Sequence, residues 1–96
     1  MKHITLPLAI WATLALCAPA HAADCFADYK AKQDNPLRLH YGVVQLQGPC
    51  RRGPARAEVA ARLAASGWTV LNVLSVFGPE GLAERRANAG SYYLRF

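Results

Sequence analysis

Residues 54–77, PARAEVAARLAASGWTVLNVLSVF, decide the fold. Pro54 suits the first position of a helix, where its missing N–H leaves no bond unmade. Ala55, Val59 and Leu63 recur at i, i+4 and i+8, with Ala60 and Ala64 beside them, while Arg56, Glu58 and Arg62 fall on the wet side. The pattern predicts a helix over 54–66, its alanines small enough to let it sit close on a sheet. Gly67 stands where a left-handed C-terminal cap is wanted, and Trp68 where the apolar clasp of such a cap belongs. The run 68–77 is rich in β-branched and aromatic residues. It is apolar on both faces and reads as a strand buried on both sides, ended by Gly78-Pro79.

Upstream of the helix, 37–47 also reads as a strand. Leu37, Leu39, Tyr41 and Val43 alternate with Arg38, His40, Gly42, Val44 and Leu46. The segment 24–33 reads as a short helix capped by Asp24, with Phe26, Tyr29 and Lys30 near one face, stopped by Asn35-Pro36. Downstream, 80–89 predicts a short irregular helix with Leu82 inward and Arg85-Arg86 outward. The tail 91–96 predicts a last strand, with Tyr92, Leu94 and Phe96 set against Tyr93 and Arg95. The expected fold is α+β: a small three-stranded sheet, split β-α-β with an added strand, covered by one main helix, plus a short N-terminal helix. A strand–helix–strand crossover leaves its two strands parallel, and the tail strand is expected between them, antiparallel to both. One sheet face then has little to cover it, which points to a homodimer or an envelope protein partner.

The N-terminus supplies the compartment. Met1 to Ala22 has the parts of an export signal: Lys2 and His3, an apolar run, the breaker Pro19, and Ala20-His21-Ala22 with small residues where a signal peptidase reads. The apolar run, about 15 to 17 residues with Pro7 inside, falls short of the roughly 20 of a membrane anchor. Lipidation of Cys17 is disfavoured by the large Leu16 before it. Cleavage after Ala22 leaves 23–96 as a single small domain, periplasmic or secreted. Two cysteines remain, Cys25 and Cys50, which an oxidising compartment pairs. The loop they close, about 26 residues, makes the disulfide worth roughly 3 to 4 kcal/mol, a fitting staple for so small a core.

The whole chain carries +5 and the export segment holds one of those charges, Lys2, so the remainder carries one less. For an exported protein the anionic partners are phospholipid head groups, lipopolysaccharide and cell-wall glycan rather than nucleic acid. The most suggestive basic cluster is Arg51-Arg52, beside Cys50 and just ahead of a helix start, with Arg56 one turn on. Free N–H groups at that start and three guanidinium groups form a candidate anion-binding set.

Catalytic constellations are scarce. His40 is the only histidine outside the export segment, and disulfide-bonded cysteines are not thiolate ligands, so neither a metal nor any other cofactor is expected. Ser66, Ser75 and Ser91 lack a nucleophile motif, and His40 is the only imidazole base available to them. Asp24 with Asp28, and Glu80 with Glu84, are spaced as helix-terminal carboxylates rather than as a hydrolytic pair. The reading is therefore a non-catalytic binding or interaction module, the alternative a glycan or anionic-lipid binder using Arg51, Arg52 and Arg56, and a small hydrolase the third.

Two resemblances bear on this. "YGVVQLQG", "ARAEVAARLAASGW" and the final "YYLRF" resemble a group of small exported bacterial domains of unknown function with a strand, helix, Gly-Trp, strand, strand core, over about 37–96. "YGVVQL", "AEVAARLAASG" and "FGPEGLAERRANAG" more loosely resemble the sporulation-related repeat (SPOR) domain, which implies an exported glycan-binding module. That domain has a hairpin where this chain has one unbroken strand over 68–77, and no binding residue is carried over from it.

Overall fold

The computed structural model describes residues 24–96, so the export segment expected over 1–22 lies outside the described residues. The chain runs β1 (Cys25–Gln33), β2 (Arg38–Leu46), α1 (Arg52–Ala64), β3 (Thr69–Phe77), a 3-10 turn (Pro79–Gly81), α2 (Ala83–Ala89) and a second 3-10 turn (Gly90–Tyr92). The sheet order is β2-β1-β3, with β1 antiparallel to both neighbours. The fold is α+β, with a three-stranded sheet and a Cys25–Cys50 disulfide whose Cα atoms lie 5.9 Å apart. Among the described residues no helix is long and apolar enough to cross a membrane.

The main helix forms as its stripe dictates. Ala55, Val59 and Leu63 are its buried residues. Gly67, at φ +86°, ends it: the Gly67 N–H donates to Ala64 O at 3.0 Å and the Trp68 N–H to Leu63 O at 3.0 Å. These paired bonds define a glycine-capped helix end, and Trp68 closes it by packing in the same core as Leu63.

Two expectations are corrected. The segment 24–33 is the central strand, not a helix. Its small residues Ala27 and Ala31 and its Tyr29 face α1, fully buried, while Phe26, Asp28, Lys30 and Lys32 alternate on the opposite face. Its local helix-forming composition is overridden because β2 and β3 each present an edge whose backbone groups it alone satisfies. The tail 91–96 is not a sheet strand either. It makes one isolated bridge, Val43 with Tyr93, and one bond, Leu94 N–H to Val43 O at 2.8 Å. In crossing the free edge of β2 it sends Tyr92 and Phe96 to the α1 side and Tyr93 to the other. The β2–α1–β3 crossover holds as expected, but β1 occupies the place between its strands that the tail was expected to fill.

The second sheet face is covered only at the end near the disulfide, where Phe26, Val43 and Ala89 are buried with Tyr41, Phe77, Leu82 and Tyr93 against them. Toward the β1–β2 turn that face is bare. β3 departs from strict alternation at two register shifts, which leave Leu74 and Leu71 without an opposite residue on β1. Such bulges re-aim side chains. Val73 thereby joins Val70 and Val76 toward α1, while Leu71 is exposed to solvent.

Candidate functional site

The bare half of the second face carries the largest exposed apolar groups. Leu37 and Leu39, on and just before β2, are 63% and 65% exposed, and Leu71 on β3 is 45% exposed. Leu39 and Leu71 line an open cleft of about 310 Å3 together with Lys30, Ala31, His40 and Tyr41. Lys30 and Tyr41 also border a second hollow, of about 490 Å3, that reaches Asp28, Leu74 and Asn88. Lys30 is exposed beside the leucines and Lys32 pairs with Asp34 at 3.0 Å, while the exposed Arg38 falls on the His40 side of β2. Strand register places Leu39 and Tyr41 on one side of β2 and their partners Lys32 and Lys30 on the same side of β1.

Behind this surface stands an aromatic cluster. His40 lies face to face with Tyr92, ring centroids 3.7 Å apart, and meets Trp68 edge-on at 4.3 Å. Its Nε2 shares a 2.8 Å hydrogen bond with the Tyr29 hydroxyl, while its buried Nδ1 has no partner. Burial, with the positive charge of Arg95 added, lowers the pKa of His40 and keeps the imidazole neutral. Burial also raises the Tyr29 phenol well above its ordinary value. The imidazole is a packed member of this cluster, which joins β1, β2, the end of α1 and the tail.

Across the sheet from it, Asp28 is buried and fully engaged. It accepts hydrogen bonds from Tyr41 Oη at 2.7 Å, Ser75 Oγ at 2.7 Å and Arg85 Nε at 3.0 Å. Burial works to raise its carboxyl, but the bonds from Ser75, Tyr41 and Arg85 and the Arg85 charge outweigh it and hold the pKa below the usual value. Tyr41 moves the other way, pushed up to about 12 by burial and by its bond to Asp28. Arg85 also donates to Gly81 O at 2.7 Å and lies 3.9 Å above the Phe77 ring, so one guanidinium ties α2 to β1 and β3, and through Asp28 to Tyr41 of β2. Asp28 is thus not a helix-terminal partner of Asp24, and Arg85 does not point outward.

The basic cluster singled out in the sequence has a different geometry from that expected. Arg51, Arg52 and Arg56 are all exposed around the start of α1. Arg52 donates to Val73 O at 3.3 Å and to Leu74 O at 2.7 Å. These carbonyls lie at the register shift that leaves Leu74 without a partner on β1, so this guanidinium is committed to the sheet. Glu58 and Arg62, expected to be solvated, also hold backbone. The Glu58 carboxylate accepts from the N–H groups of Gln47 at 2.8 Å and Gly48 at 3.0 Å, pairs with Arg62, and Arg62 donates to Gln45 O at 2.9 Å. Among the described residues no three His, Cys, Asp or Glu side chains gather as a metal site needs.

No protein-family model, curated protein or solved structure matches this chain. The leucine–lysine surface was legible only in part. The alternation of β2 announces an apolar side bearing Leu37 and Leu39, and that of β3 sets Leu71 with Phe77, but the meeting of these two sides on one sheet face depends on β1 lying between the strands.

Proposed function

We propose that this chain is an exported, disulfide-stapled α+β module that acts by binding rather than by catalysis, through the bare half of its second sheet face. The observation that carries the reading is the exposure of Leu39 and Leu71 on one open cleft, with Leu37 exposed in the turn just before β2. An exposed apolar group of this kind on a small protein marks an interaction surface. The partner belongs to the cell envelope: a macromolecule there, or a second copy of the chain. The Cys25–Cys50 pair suits that oxidising location. The alternative, a glycan or anionic-lipid site at Arg51, Arg52 and Arg56, is weaker because Arg52 is spent on two carbonyls.

The test is photo-crosslinking in growing cells with the reactive group at position 39, and at position 56 as the reference. Adducts in the envelope fraction from position 39, exceeding those from 56, support the reading. Export failure, or no adduct to lipid or protein from position 39, overturns it.

A further inference from the structure

We infer that the tail from Tyr92 to Phe96 is an acid-released strap: protonating His40 frees it from β2 and bares the outer edge of that strand. The device lies on the His40 side of β2, opposite Leu39 and Tyr41, and stands apart from the binding reading above.

The strap is lightly held. Among the described residues a single backbone bond, Leu94 N–H to Val43 O at 2.8 Å, ties it to β2. Leu94 itself sits at φ +55°, a left-handed conformation that a branched side chain keeps only while its surroundings enforce it. Tyr93 adds apolar packing on the opposite face. The rest of the hold is His40, stacked on Tyr92 at 3.7 Å between ring centroids, with Phe96 at 6.1 Å and Trp68 edge-on at 4.3 Å. None of the groups facing this imidazole offers a negative charge. β1 contributes the Tyr29 phenol, bonded to Nε2. The tail contributes Tyr92 and the positive charge of Arg95, and Arg38 stands two residues away on the same side of β2. Trp68, just past the end of α1, does not titrate, and among the described residues no carboxylate pairs with His40. A protonated ring gains some attraction to the aromatic faces. Its buried Nδ1–H, however, finds no acceptor, and Arg95 repels it. Water satisfies that N–H only if Tyr92 and Phe96 lift away. The other anchors survive mild acid. Against the pull of burial, bonds from Ser75 to Asp28 and from Gln47 to Glu58 hold both carboxyls below their ordinary values, so both stay charged.

The experiment is NMR relaxation on the purified, oxidised protein from neutrality down to about pH 5, with His40 protonation followed by its own ring resonances. Backbone order parameters of the tail should match those of β2 at neutrality, about 0.85, and fall below about 0.6 as His40 takes its proton, while α1 and β1 keep theirs. One proton taken up on opening raises the opening constant by up to about tenfold per pH unit below the ordinary value of 6.5. His40→Phe keeps a ring against Tyr92 and carries no proton, so the order of its tail should not change with pH. The same pH independence is expected of His40→Gln, which serves where the phenylalanine variant fails to fold. A tail that stays ordered after His40 is protonated, that is already mobile at neutrality, or that loosens together with α1 and β1 overturns the inference. So does a tail that loosens with acid in either uncharged variant as it does in the wild type.

Discussion

Gly42 lies directly opposite Tyr29 across the β1–β2 pair, and the Tyr29 ring fills the space a side chain at 42 would take. A Cβ there would stand 2.6 Å from Tyr29 Cζ. The missing side chain lets the phenol lie over the strand and reach His40 on the same face. Gly42→Ala is expected to displace the ring and cost about 2 kcal/mol by overpacking, read as a lowered urea midpoint at unchanged slope.

His40 gives the fold an acid-side sensitivity. Burial first and Arg95 second lower its pKa in the folded state, so the unfolded chain takes the proton more readily. The contribution of neutral His40 is therefore present above the unfolded value of 6.5 and is lost as pH falls from there through the lower folded value. Urea midpoints measured from neutrality down to about pH 5 should decline in the wild type and stay nearly level in His40→Gln. Equal slopes in the two proteins would assign the sensitivity elsewhere.

Asp28 holds α2 on the sheet through Arg85. Asp28→Asn leaves that guanidinium over Phe77 without its carboxylate and is expected to cost about 3 kcal/mol. Adding Arg85→Met should recover part of the loss, because the unpaired charge is then gone. Since the folded pKa of Asp28 is lowered, its contribution is present above the unfolded value of 3.8 and disappears as pH falls through the folded one. Thermal melts of the single and double variants distinguish a charge-pair role from simple packing.

Arg52 guards the open edge of β3. Its guanidinium occupies the carbonyls of Val73 and Leu74, on a strand whose nine residues include no charge and no proline. Arg52→Ala should expose a self-complementary edge and raise self-association with concentration, seen by sedimentation velocity. Arg51→Ala, one residue away, should leave the wild-type profile.

The disulfide ties the start of β1 to the loop before α1. Reducing it, or replacing both cysteines with serine, should cost roughly 3 to 4 kcal/mol, observed as a lower melting temperature for the reduced protein.

Much of the architecture was readable locally. The α1 stripe of Ala55, Val59 and Leu63, the Gly67–Trp68 cap, the strands β2 and β3 and the Cys25–Cys50 pair all follow from patterns that need no distant partner. The surface proposed for binding was half readable: alternation puts Leu37 and Leu39 on one side of β2 and Leu71 on one side of β3, whereas their meeting on one sheet face depends on β1 lying between those strands. The arginines at the start of α1 were visible as a cluster, but the commitment of Arg52 to β3 depends on carbonyls at a register shift 21 residues away.

By itself the sequence determined the crossover of β2, α1 and β3, because capping, turn chemistry and hydrophobic period act over a few residues. Only the tertiary structure decided what fills the space between the two strands. The stretch from Cys25 to Gln33 has the alanines and lysines of a helix, yet it is a strand, since two facing edges satisfy its backbone and α1 demands small side chains beneath it. The tail has the alternating aromatics of a strand, yet it crosses the β2 edge and locks His40 into its cluster, since the central place was already taken. That one exchange of roles also leaves half of a sheet face uncovered, with its leucines and lysines exposed.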